Sequence, residues 1–189
     1  MLTLSPAPRQ QHGFTIVELL IVIVVIGVLA AITIVAFNGT QARAENNKTI
    51  NAVAAYARAI TAFAAETSLY PVPTQNYPCL GNNVAYCANM TDTGSGCEGS
   101  GRAGVSSNLN NSLSALTTSL PDPSLQSLNC NGKQYAGAYY SYTNGGKGAL
   151  IRYYLRGDVS CPNPAGLPNS LRYQNADTTV CSASFPLLP

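Results

Sequence analysis

The run from Leu19 to Phe37 constrains this chain more than any other stretch. Its nineteen residues carry no charge and are rich in Ile and Val. At ~1.5 Å per residue a helix over them reaches ~28 Å, enough to cross a bilayer core. Glu18 stands at its entrance and is the only charged side chain between Arg9 and Arg43. A secretory signal carries an apolar core of roughly 7–15 residues with a small-residue cleavage site behind it. Here the apolar run is longer, and the unusual residues lie in front of it.

Those residues are Gly13, Phe14 and Glu18. A glycine, an aromatic, a carboxylate four residues on and then a long apolar helix resemble the N-terminus of type IV prepilins. The strong match covers Gly13 to about Ala42. The resemblance implies a basic leader, residues 1–13, that stays inside the cell. It implies a membrane peptidase that cuts between Gly13 and Phe14 and methylates the new Phe14 amine. It further implies storage in the cytoplasmic membrane, extraction by an assembly platform, and packing of copies into a helical filament. Many family members have a Pro late in the apolar helix, and this span has none. Any melting of the helix in a fibre is expected at Gly27 or at Asn38-Gly39.

The electrostatics of Glu18 can be read without the family. Near the membrane surface its carboxylate reaches headgroup water. Among packed helices it needs a cation, because an unpaired buried carboxylate is costly. A cleaved Phe14 supplies one in its α-amine. Phe14 and Glu18 are therefore the candidate assembly pair.

The remaining chain is 10 % charged, and without Arg9 it holds nine basic and eight acidic side chains. That balance creates no field for nucleic acid. Six cysteines all lie beyond residue 78. With an anchor and a Gly/Ser/Asn-rich head, they indicate an oxidising setting and disulfides. Cys161–Cys181 is the preferred bridge, and Cys79, Cys87, Cys97 and Cys130 pair in an order the sequence leaves open.

From Gln41 to Ser68, Ile50, Val53, Ala57, Ile60 and Ala64 recur at helical steps, and Pro71 and Pro73 follow. The reading is one long helix over 14–68, transmembrane over 14–37 and amphipathic over 38–68. Residues 69–189 form a small head. Residues 74–106 read as a disulfide-held loop, and 108–119 as a short helix that places Leu109, Leu113, Leu116 and Leu120 on one face. Strands are predicted over 134–142 and 149–155, joined by Asn144-Gly145-Gly146-Lys147-Gly148 in an antiparallel hairpin. Ile151, Tyr153 and Leu155 share one strand face, with Arg152 and Arg156 on the other. The segment 161–181 holds three prolines and reads as irregular, with a final strand over 178–184. The fold class is α+β: a long N-terminal helix packed on a small antiparallel sheet with disulfide-held loops.

No histidine follows the leader, and no Gly-rich phosphate loop joins a strand to a helix. Family pseudopilins often bind calcium, but Asp158 and Asp177 read here as turn residues. No catalytic residue, metal or cofactor is assigned. The resemblance implies a structural subunit of a type IV pilus used in adhesion, motility or uptake. The alternatives are a pseudopilin of a type II secretion system and a membrane-anchored binding module that never polymerises.

Overall fold

A computed structural model describes residues 14–75, 77–81, 87–89, 104, 107–117, 120–130 and 132–189. The side chains of Val35, Ala36, Asn38 and Lys133 are not described. The chain divides into two compact units, residues 1–40 and 41–189. The helix α1 (Ile16–Thr67) begins in the first and ends in the second.

No proline interrupts α1, and its Ile, Val and Ala content suits a helix that is buried or in lipid. In its first part, among the described side chains, nothing is buried. Burial begins at Thr49 and continues at Ala52, Val53, Tyr56, Ala57, Ala59, Ile60 and Ala64. The alanines let the helix lie close to the sheet beneath it. Ser68 takes a left-handed conformation with φ 62° and ends the helix, ahead of Pro71 and Pro73.

Among its described residues the second unit adds α2 (Ser107–Ser114) and seven strands. They are β1 (Ala88–Asn89), β2 (Leu128–Cys130), β3 (Lys133–Ala136), β4 (Ala138–Thr143), β5 (Gly148–Arg156), β6 (Asn169–Gln174) and β7 (Thr178–Ser184). The main sheet is antiparallel in the order β4-β5-β7-β6, and a smaller one runs β1-β3-β2. The α+β class and the hairpin over 144–148 stand as the sequence predicts.

Three details differ. The predicted strand 134–142 breaks at Gly137, whose φ of +70° is left-handed. There the chain leaves the small sheet and enters the main one, so one stretch of alternating residues serves two sheets. The helix predicted to Ser119 ends at Ser114, and on its expected face Leu116 stays half-buried while Leu109 and Leu113 reach the core. The segment 161–181 is not all irregular: β6 lies in it and pairs with β7. Its six residues are exposed or half-buried, so it carries no apolar alternation. The face of β5 that carries Arg152 and Arg156 is packed as well. Tyr154 on that face stacks on Tyr135 of β3 with ring centroids 5.0 Å apart.

Among the described residues the buried apolar side chains form two cores. One joins α1, α2 and the near face of the main sheet through Val53, Ile60, Leu113, Ile151 and Leu155. The other joins the two sheets through Leu128, Tyr135, Tyr139, Tyr154 and Val180. Buried tyrosine hydroxyls tie irregular segments to the first core. Tyr140 donates to the Pro71 carbonyl (2.8 Å), Tyr153 to Pro162 (2.9 Å) and Tyr70 to Pro186 (2.8 Å). The Tyr56 hydroxyl accepts from the Gly81 N–H at 2.8 Å and lies 3.4 Å from Asn110 Oδ1. Asn110 Nδ2 in turn donates to the Gly81 carbonyl at 3.0 Å. Half-buried Asn110 thereby joins α2 to Tyr56 of α1 and to Gly81.

Candidate processing and assembly site

Thr15 immediately precedes α1, and Glu18 lies in its first turn. The two form a reciprocal cap. Glu18 Oε2 accepts from the Thr15 N–H at 2.8 Å and from Thr15 Oγ1 at 2.7 Å. The Glu18 N–H faces Thr15 Oγ1 at 3.2 Å. Free N–H groups at a helix start need acceptors, and the pattern Thr-x-x-Glu supplies them. It also gives the carboxylate two donors from its own chain. The sequence reading treated Glu18 as a charge and missed Thr15, although Thr15-Ile16-Val17-Glu18 carries the signal in full.

Phe14 is 88 % exposed at the head of this cap. Gly13 lies outside the described residues. Along α1 as far as Phe37 the described apolar side chains stand exposed, Ile16, Ile26, Ile32 and Phe37 among them. α1 is long and apolar enough to cross a membrane by length and composition. Gly27 and Asn38-Gly39 are helical within α1. A Cβ at Gly27 or Gly39 would meet nothing within 4 Å. A surface of this kind requires lipid or other apolar helices.

In the head, Cys161 is bonded to Cys181 and Cys79 to Cys87. Cys130 is also in a disulfide, and Cys97 lies outside the described residues. The Cys161–Cys181 bridge holds the loop before β6 against the centre of β7. The Cys79–Cys87 bridge lies at the edge of β4, where Cys79 bridges to Tyr139. Sequence spacing could not choose that pair, because nothing periodic flanks it.

A capped, exposed apolar helix behind a Gly-Phe junction defines a class. Residues 8–34 match the family model for the prokaryotic N-terminal methylation motif. Among individual proteins it is 30 % identical over 74 residues to the type II secretion system core protein G of Aeromonas hydrophila, covering 39 % of this chain and 52 % of that one. It is 31 % identical over 74 residues to core protein G of Escherichia coli (strain K12), covering 39 % and 51 %. It is also 34 % identical over 63 residues to the fimbrial protein EcpC of Eikenella corrodens, covering 33 % and 41 %. The chain spans about half the length, or less, of these curated relatives. No solved structure matches it.

Proposed function

We propose that this chain is a pilin-like structural subunit, cleaved between Gly13 and Phe14, methylated on Phe14, and polymerised into a helical filament. The observation that carries this reading is the methylation motif over residues 8–34, set on a helix whose apolar side chains are exposed. The precursor is held in the cytoplasmic membrane by residues 14–37, with the head outside. A prepilin peptidase and an assembly platform are its partners, together with copies of itself. In the filament the Glu18 carboxylate meets the freed Phe14 amine of a neighbour. That pairing fixes axial register, because a wrongly stepped subunit leaves both charges unpaired.

Of the systems such a subunit can serve, the type IV pilus is the first reading. The second, a pseudopilin of a type II secretion system, is favoured by the likeness to core protein G. Both rest on the same anchor and the same Glu18 chemistry.

The test is intact mass spectrometry of the mature protein, with electron microscopy of the cell surface using antibody to the head. Expected are a chain beginning at N-methylated Phe14 and labelled fibres. Retention of residues 1–13 in assembled material would sink the processing reading. Mature protein that never leaves the membrane under any condition would leave only the anchored binding module. Long surface fibres favour the pilus, and a short fibre tied to export of other proteins favours the pseudopilin.

A further inference from the structure

We propose that Asn46 is a stop for the unwinding of α1: a helix side chain that takes the place of a missing strand at the end of β5. The argument begins with the sheet edge. β4 covers β5 only as far as the pair Ala138↔Tyr153. The next bond on that edge runs from the Tyr154 N–H to the Gly137 carbonyl at 3.2 Å. At Gly137 the chain turns away into the small sheet. In an antiparallel ladder, residues two apart present their N–H and C=O to the same side. Arg156 therefore presents both groups where β4 no longer runs.

Asn46 fills that place. Its Oδ1 accepts from the Arg156 N–H at 2.8 Å, and its Nδ2 donates to the Arg156 carbonyl at 3.0 Å. A primary amide carries a donor and an acceptor on one planar group, which is what a strand edge offers. Neighbouring contacts reinforce the position. Glu45 Oε2 lies 3.3 Å from Arg156 Nε. The Gln126 amide lies between Glu45 and Arg156. Thr49 Oγ1 accepts from the Ser124 N–H at 3.2 Å.

The burial pattern sets the direction of the effect. Among the described side chains, none in α1 before Thr49 is buried. Glu45 and Asn46 thus tie α1 to Arg156 of β5 one turn before the packed stripe begins. Opening that starts on the N-terminal side meets only exposed and half-buried side chains, among those described, before it reaches Asn46. There it must break two bonds to the sheet backbone at once and leave an N–H and a C=O unpaired.

Hydrogen exchange of the full chain in detergent micelles, read by mass spectrometry, tests this. In the unaltered chain, protection is expected to rise sharply between residues 44 and 50. Asn46→Ala should speed exchange at least ten-fold in peptides covering residues 45–53 and at Arg156. Peptides over 178–184 should be unchanged. Asn46→Asp keeps the acceptor but loses the donor, and should fall between the two. Ala44→Gly weakens the helix just before the stop and leaves the stop intact. It should raise exchange before Glu45 and not after Thr49. Fraying that runs past Thr49 in Ala44→Gly would overturn the proposal. So would an Asn46→Ala effect that is absent or spread evenly over the head. None of these readouts depends on filament formation, so they stand or fall separately from the functional reading.

Discussion

Thr15 and Glu18 satisfy each other across the first turn of α1, with Glu18 Oε2 2.7 Å from Thr15 Oγ1 and 2.8 Å from the Thr15 backbone nitrogen. The carboxylate is therefore supplied with donors by its own chain before any neighbour is present. For a filament to use the charge of Glu18, a neighbour's Phe14 amine has to compete with Thr15 or join it. Thr15→Ala should leave the head's thermal stability unchanged and accelerate exchange several-fold over the first turn of α1. Glu18→Ala should do the same and also reduce filament mass per cell strongly, with mature subunit still present in the membrane. Normal filaments from Glu18→Ala would refute the charge pairing and leave the carboxylate with its capping role alone.

Tyr56 offers a direct measure of the joint between α1, α2 and the segment at Gly81. Tyr56→Phe keeps the ring and removes the oxygen that accepts from Gly81. Leaving a buried N–H unsatisfied costs about 1–3 kcal/mol. Denaturant unfolding of Tyr56→Phe should show that loss with an unchanged m-value. A loss under about 0.3 kcal/mol would mean that another acceptor takes over Gly81.

The same tyrosines predict weakness in alkali. Burial pushes the Tyr56 phenol up to about 12, against a lowering from the Gly81 hydrogen bond and a small raising effect from Asp122. Burial also raises Tyr140 and Tyr153. A raised folded pKa means the native state holds its proton after the unfolded chain has released it. The stabilisation is complete below the ordinary value of about 10 and is lost as pH rises through it toward the folded value. Each such tyrosine should steepen the fall by about 1.4 kcal/mol per pH unit in that window. Stability that stays flat from pH 9 to 11.5 would contradict the burial of these hydroxyls.

Two glycines should not tolerate a side chain. A Cβ at Gly146, where φ is +96°, would lie 2.8 Å from the Tyr70 carbonyl oxygen and 2.9 Å from Val72 Cγ2. At Gly137, with φ +70°, the nearest atom would be Leu125 Cδ2 at 3.3 Å. The left-handed backbone alone costs roughly 1–2 kcal/mol for an L-residue. Gly137→Ala should lose about that much, and Gly146→Ala distinctly more, in equilibrium unfolding. Equal losses would show that the Tyr70–Val72 segment gives way.

Non-reducing peptide mapping should recover Cys79 linked to Cys87 and Cys161 linked to Cys181. By chain entropy, removing the bridge of sequence separation 20 costs about 3 kcal/mol, and removing the one of separation 8 somewhat less. The double variant Cys161→Ser with Cys181→Ser should therefore be the less stable of the two paired replacements. Cys130 is oxidised as well, and the same map would identify its partner.

How much of this was legible in the residues depended on whether one periodicity governed a segment. α1, the hairpin around Asn144-Gly145 and the strand over Thr178–Ser184 each follow a single pattern, and each was readable. β6 was not, since its side chains are exposed or half-buried and its strand character comes from pairing with β7. The small sheet was hidden because Gln134 to Tyr142 reads as one strand, and only the backbone at Gly137 divides it. Asn46 gave no local sign of its role, because its partner, Arg156, is 110 residues away. Thr15 was readable and was passed over, since the charge of Glu18 drew the interpretation first.

The placement of the aromatic residues has an optical consequence. The chain has eleven tyrosines and no tryptophan, and the first tyrosine is Tyr56. Near-ultraviolet absorbance and circular dichroism from tyrosine therefore originate wholly at or beyond Tyr56. The apolar segment contributes nothing to those bands, whether it sits in lipid, in detergent or against other helices. The folding state of this protein's head can thus be followed by its own chromophores, without a label, through each environment the anchor passes.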